Sequence, residues 1–103
     1  YGTYNAYSLM ADFNEANLNL RNGAFAKAYD LGTQSLTAVR NFRGQHHHDV
    51  YTFQQLRIVA LIGAKRLPEA RSLWAEVDAQ RQTDWPNDEA LRTVYADLSK
   101  QLE

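Results

Sequence analysis

Apolar residues in this chain recur at intervals of three and four, and strict alternation is almost absent. That spacing predicts amphipathic helices and not strands. Five segments carry it. Over residues 3–21, Leu9, Phe13, Ala16 and Leu20 share one face, and Tyr4, Tyr7, Ala11 and Leu18 are expected to widen it. Arg21, Asn22 and Gly23 read as a stop, with a cation in the last turn and a glycine free to adopt positive φ. Over residues 24–40 the stripe is Phe25, Ala28, Gly32, Ser35 and Val39. Its residues are mostly small, so this helix is expected to lie close against a neighbour. Gly32 inside a helix costs roughly 1 kcal/mol relative to Ala, and close packing is the expected compensation.

Asp49 is the expected N-cap of a third helix over residues 50–64, which carries Phe53, Leu56, Ala60 and Gly63, with Val59, Leu61 and Ile62 beside them. Apolar nearly all round, it is predicted to be the most buried element. Pro68 suits the first turn of a fourth helix, with Leu67, Ala70, Leu73, Trp74 and Val77 facing inward. Asp84 and Pro86 are expected to start a fifth, carrying Leu91, Val94, Tyr95, Leu98 and Leu102. The fold class is therefore all-α: two antiparallel helical hairpins and a final helix, joined by short connections.

The two hairpins align with an offset of 42 positions. Phe25 pairs with Leu67, Ala28 with Ala70, Leu31 with Leu73, Gly2 with Gly44, Ala16 with Ile58 and Leu20 with Ile62. The match lies in residue class more than identity, and it predicts an internal repeat. Gly23, Phe25 and Ala28 follow the glycine–aromatic–alanine spacing of tetratricopeptide repeats, which the chain resembles. The second unit has Leu67, Glu69 and Ala70 without the glycine. The long unit is similar to the kinesin light chain type, also abundant in bacterial signalling proteins. Gly44, His47 and Asp49 match that type's opening, with His48 in place of its proline. Asp12 and Glu15 depart from the family by being polar.

The resemblance implies a right-handed superhelix: one unit over residues 2–40, a second over 44–82, and a capping helix over 86–102. It also implies a concave groove lined by the first helix of each unit. Carried over, Asn14, Asn17, Arg21 and Gln55 are the candidate partner-binding residues, with Gln54 beside them. Taken singly, each also fits a plainly solvated helix face.

Charge and chemistry narrow the picture further. Eleven Lys+Arg against twelve Asp+Glu give a net charge of −1, so neither nucleic acid nor a membrane surface is an expected partner. The longest apolar run, residues 58–63, is too short to span a bilayer. The chain has no cysteine, which removes disulfides and thiolate chemistry and leaves the compartment open; a cytoplasmic setting is favoured. The 103 residues suffice for one domain, and a chain opening on Tyr1 reads as part of a larger bacterial protein.

His46, His47 and His48 invite a metal reading. Consecutive side chains diverge, however, and no second ligand cluster accompanies them, so no metal or other cofactor is expected. Ser8, Ser35, Ser72 and Ser99 sit in predicted helices outside any nucleophile-elbow pattern, and no phosphate-binding glycine loop is present. The expected function is a protein–protein interaction or regulatory module and not an enzyme. Its partner would be a protein or peptide. The alternative is a structural unit that forms a homodimer or contacts flanking domains, with Tyr1, Tyr4 and Tyr7 as a seam. A metal-responsive domain built on the histidine loop is a more distant reading.

Overall fold

A computed structural model describes residues 5–103. The expected helix start at Thr3, the tyrosines Tyr1 and Tyr4, and Gly2 of the repeat lie outside the described residues. Five helices account for most of the chain: α1 (Ala6–Arg21), α2 (Phe25–Arg43), α3 (His48–Gly63), α4 (Leu67–Asp84) and α5 (Glu89–Gln101). Among the described residues there is no strand.

The boundaries repeat. Ala6 and His48, Arg21 and Gly63, and Phe25 and Leu67 are each 42 positions apart. The way α1 and α3 stop repeats as well. After α1, Gly23 N–H donates to Leu20 and Ala24 N–H to Asn19; after α3, Lys65 N–H donates to Ile62 and Arg66 N–H to Leu61. Both are the paired bonds of a Schellman motif, which needs a residue at positive φ. Gly23 supplies it at 76° and Lys65 at 63°. The second unit therefore makes the same turn without the glycine, and a lysine takes the strained position.

Several boundaries differ from the sequence expectation. Asn5 caps α1 by accepting from Ser8 N–H. Helix α2 runs three residues further than expected, through Arg43, and Gly44 at φ 98° ends it. Asp49 is not the N-cap of α3. His47 is, because its Nδ1 accepts from Asp49 N–H at 3.1 Å and leaves Asp49 in the first turn, where its charge complements the helix dipole. Nor do Asp84 and Pro86 start α5. Asp84 ends α4, Pro86 lies in the turn, and Asp88 caps α5 by accepting from Leu91 N–H at 3.0 Å.

Each helix packs on its sequence neighbours, and α3 also touches α1 and α5. Helices α2 and α4 make no close backbone approach, although Tyr29 of α2 packs against the cluster of Leu61, Ala70 and Leu102, to which α4 contributes Ala70. The odd helices thus form a row, with α2 and α4 set against it, in a slab of 44 × 33 × 18 Å. The α3 helix is the core, as its all-round apolarity predicts. On one side Val50, Phe53 and Leu56 join Ala16, Leu36 and Val39. On the other, Tyr51 and Ile58 join Val77, Tyr95 and Leu98. Small residues bring the axes together where expected. A Cβ on Gly32 would lie 3.0 Å from Arg57 Cγ, and one on Gly63 would lie 2.3 Å from the Phe25 ring. Arg57 uses the space beside Gly32 to reach Tyr29 Oη at 2.8 Å and Thr33 Oγ1 at 3.0 Å, joining α3 to α2.

Candidate functional site

The three histidines diverge, each to a different carboxylate. His46 Nδ1 lies 2.8 Å from Asp84 Oδ2 at the end of α4. His47 Nδ1 lies 3.4 Å from Asp49 Oδ2, while Arg43 approaches the same oxygen at 3.3 Å. His48 packs on the Trp85 ring, with centroids 3.9 Å apart. Its Nε2 is buried 2.8 Å from Asp88 Oδ2 but lacks the alignment of a hydrogen bond, so the two groups are close without being bonded. Trp85 Nε1 donates to the His46 carbonyl at 2.6 Å. The histidine segment is therefore a clasp that ties the α2–α3 connection to the α4–α5 turn. Among the described residues, no group of three or more His, Asp or Glu side chains is placed to hold a metal.

A polar network runs inward from this clasp. The Tyr51 hydroxyl donates to Asp84, and the Tyr95 hydroxyl donates to the Tyr51 carbonyl at 2.8 Å. Trp74 Nε1 donates to the Tyr95 carbonyl at 2.9 Å. Burial pushes the Tyr51 hydroxyl pKa up, and its bond to Asp84 adds to the shift. The same bond holds the Asp84 carboxyl below the ordinary carboxylate range; partial burial opposes that and His46 reinforces it. Beside the network, Arg81 and Asp78 form a buried ion pair at 2.8 Å, and Gln82 satisfies the second Asp78 oxygen. Both residues lie on α4, so the pair neutralises its own buried charges and adds little net stability.

The candidate partner-binding residues fall on the odd helices. Asn14 and Arg21 are exposed on α1, and Asn17 is half-buried on the same side. Spacings of three and seven residues put all three on one side of the helix. Asn17 spends one amide hydrogen on the Phe13 carbonyl at 3.2 Å, which leaves the rest of the amide for another partner. Gln55 is half-buried on α3. Gln54 does not belong with them: it is buried and accepts from Arg57 Nη1 at 2.7 Å.

A second correction concerns α1. Tyr7, Ala11 and Leu18 do not widen its buried face. Tyr7 is 84 % exposed, Met10 59 % and Leu18 56 %. Leu9, Phe13, Ala16 and Leu20 already fill the contact with α2 and α3. Residues 7, 10, 11, 14, 18 and 21 lie on the opposite side of the helix. Sequence periodicity could have flagged this, because α1 is apolar over more of its circumference than α2 and α3 together cover.

Three depressions flank these features, apart from one of about 400 Å³ between α1 and α2 over Glu15, Asn19, Lys27 and Asp30. One of about 270 Å³ lies among Arg40, Gln45, Tyr51, Gln54 and Gln80. A second, about 400 Å³, lies over His48, Trp85 and Asp88. The third, about 300 Å³, lies between Arg71, Trp74 and Leu102. None is lined by Asn14, Asn17, Arg21 or Gln55. No helix among the described residues is long and apolar enough to cross a membrane. No family model, no curated protein and no solved structure matches the chain.

Proposed function

We propose that this chain is a protein–protein interaction module of the tetratricopeptide type, which takes a partner on the row of odd helices with α1 as its principal contact. The observation that carries the reading is the outward stripe of α1. Tyr7, Met10 and Leu18 stand exposed there, interleaved with Asn14 and Arg21. Exposed apolar clusters rimmed by polar groups mark interaction sites. The mix also suits recognition: apolar side chains supply affinity, while an amide and a guanidinium orient the bound segment. The 42-residue recurrence of helix ends and the contacts of α3 with α1 and α5 support the repeat reading.

Peptides selected for binding to the chain provide the test, with their site mapped by amide chemical-shift changes. The shifts should concentrate on α1 and the adjoining side of α3. Asn14→Ala and Arg21→Ala should each weaken binding roughly fivefold to thirtyfold, and Arg92→Ala on α5 should leave it unchanged. Selected peptides that map elsewhere and ignore both α1 substitutions would sink the reading.

A further inference from the structure

We infer that the partner fitted by the outer stripe of α1 is a second copy of this chain, paired antiparallel about a two-fold axis at Asn14. The inference rests on the interaction-module reading and names the occupant of that same face. Its basis is self-complementarity. Pairing α1 with an antiparallel copy centred on residue 14 sets Tyr7 opposite the partner's Arg21, Met10 opposite the partner's Leu18, and Asn14 opposite its own counterpart. An aromatic face then meets a guanidinium, two apolar side chains meet each other, and two amides exchange donor and acceptor. A parallel pairing would keep Asn14 on Asn14 and apolar side chains on apolar side chains, but it would set Arg21 on Arg21 and lose both Tyr7–Arg21 contacts.

The other edge of the molecule argues against a head-to-tail arrangement. The exposed positions of α5 include Arg92, Thr93, Ala96, Asp97, Lys100 and Gln101, a polar surface with no large apolar side chain to meet Met10 or Leu18. With that edge closed, association through α1 stops at two copies and builds no filament. From Tyr7 to Arg21 the stripe is about 21 Å long at 1.5 Å per residue. A seam from one helix of that length lies at the small end of specific interfaces, so the dimer is concentration-dependent. Asn14 on the axis fixes the register at some cost in affinity, as a polar residue does in a coiled-coil seam.

The test is sedimentation equilibrium of the full chain from micromolar to millimolar concentration, with melting curves as a folding control. The mass should climb from one chain toward two. Asn14→Asp sets two carboxylates together on the axis and should weaken association roughly tenfold; Asn14→Leu should tighten it roughly tenfold. Residue 14 is exposed, so both variants should fold like the parent. A monomeric mass at every concentration in the parent and in Asn14→Leu overturns the inference. So does a dimer indifferent to both Asn14→Asp and Leu18→Asp. If the chain stays monomeric while selected peptides still depend on Asn14 and Arg21, the second copy falls and the interaction module stands. If neither self-association nor peptide binding responds to α1 substitutions, both fall.

Discussion

The two ends of the helix row are built differently. At the α5 end, Tyr95 is fully buried, its hydroxyl bonded to the Tyr51 carbonyl and its carbonyl to Trp74. The turn before α5 is held by His46, His48 and Trp85, and the outer side of the helix is polar. At the α1 end only the inner side is engaged, and the outer side displays Tyr7, Met10 and Leu18. The outer side of α5 is polar, whereas that of α1 leaves large apolar side chains exposed. The contrast lies between an edge tied down by buried hydrogen bonds and one that leaves apolar surface uncovered.

Truncating Tyr95 to Ala should break the closed edge with the largest effect. It opens a cavity among Tyr51, Ile58, Val77 and Leu98 and removes the hydrogen bond to Tyr51, for a cost of about 3–5 kcal/mol. Urea unfolding monitored by circular dichroism measures it; a loss below about 1 kcal/mol would show that α5 is only loosely attached.

Tyr51→Phe sharpens the comparison by cutting the same edge at one atom. Asp84 loses the donor that depresses its pKa, and the cost near neutral pH should be about 1–3 kcal/mol. The pH dependence has a definite sign. A carboxylate whose folded pKa lies below its unfolded value of about 3.9 stabilises the fold above that value, and the contribution is lost as pH falls through the lower, folded pKa. Parent and variant should therefore differ at pH 7 and converge in strong acid. Melting temperatures across that range decide it, and a gap that widens toward acid would contradict the assignment to Asp84.

The open edge should give the smallest effect. Leu18→Ser and Tyr7→Ser remove apolar groups that touch no core, so each should change folding stability by no more than about 0.5 kcal/mol. Urea titration at a concentration low enough to keep the chain monomeric is the appropriate measurement. A loss comparable to that of Tyr95→Ala would mean that the α1 face is packed after all.

Much of the fold was legible because it depends on local pattern. The three-and-four spacing of Leu9, Phe13, Ala16 and Leu20 located the buried side of α1, and the small stripe at Ala28, Gly32 and Ser35 foretold close packing. The 42-residue offset survives in the helix ends, even where Lys65 replaces glycine. Capping was read less well. Asp49 and Asp84 are good helix starters by type, yet His47 and Asp88 hold the cap positions. Which of several adjacent polar residues caps a helix depends on how the incoming chain is held. Here Trp85 and Asp84 pin that chain through His46.

The candidate site divides in the same way. Asn14, Asn17 and Arg21 share a side of α1 by helical arithmetic alone, whereas Gln54 and Gln55, adjacent in sequence, separate into a buried partner of Arg57 and a half-exposed residue. The sequence by itself determined an all-helical chain, its internal period and the apolar character of α3, because hydrophobic spacing and turn residues act over one or two helical turns. Only the tertiary structure decided which apolar residues of α1 found neighbours and which carboxylate each histidine met, because both depend on segments brought together across as many as 40 residues. That is why Leu9 is part of the core while Tyr7, two residues earlier, is left facing outward.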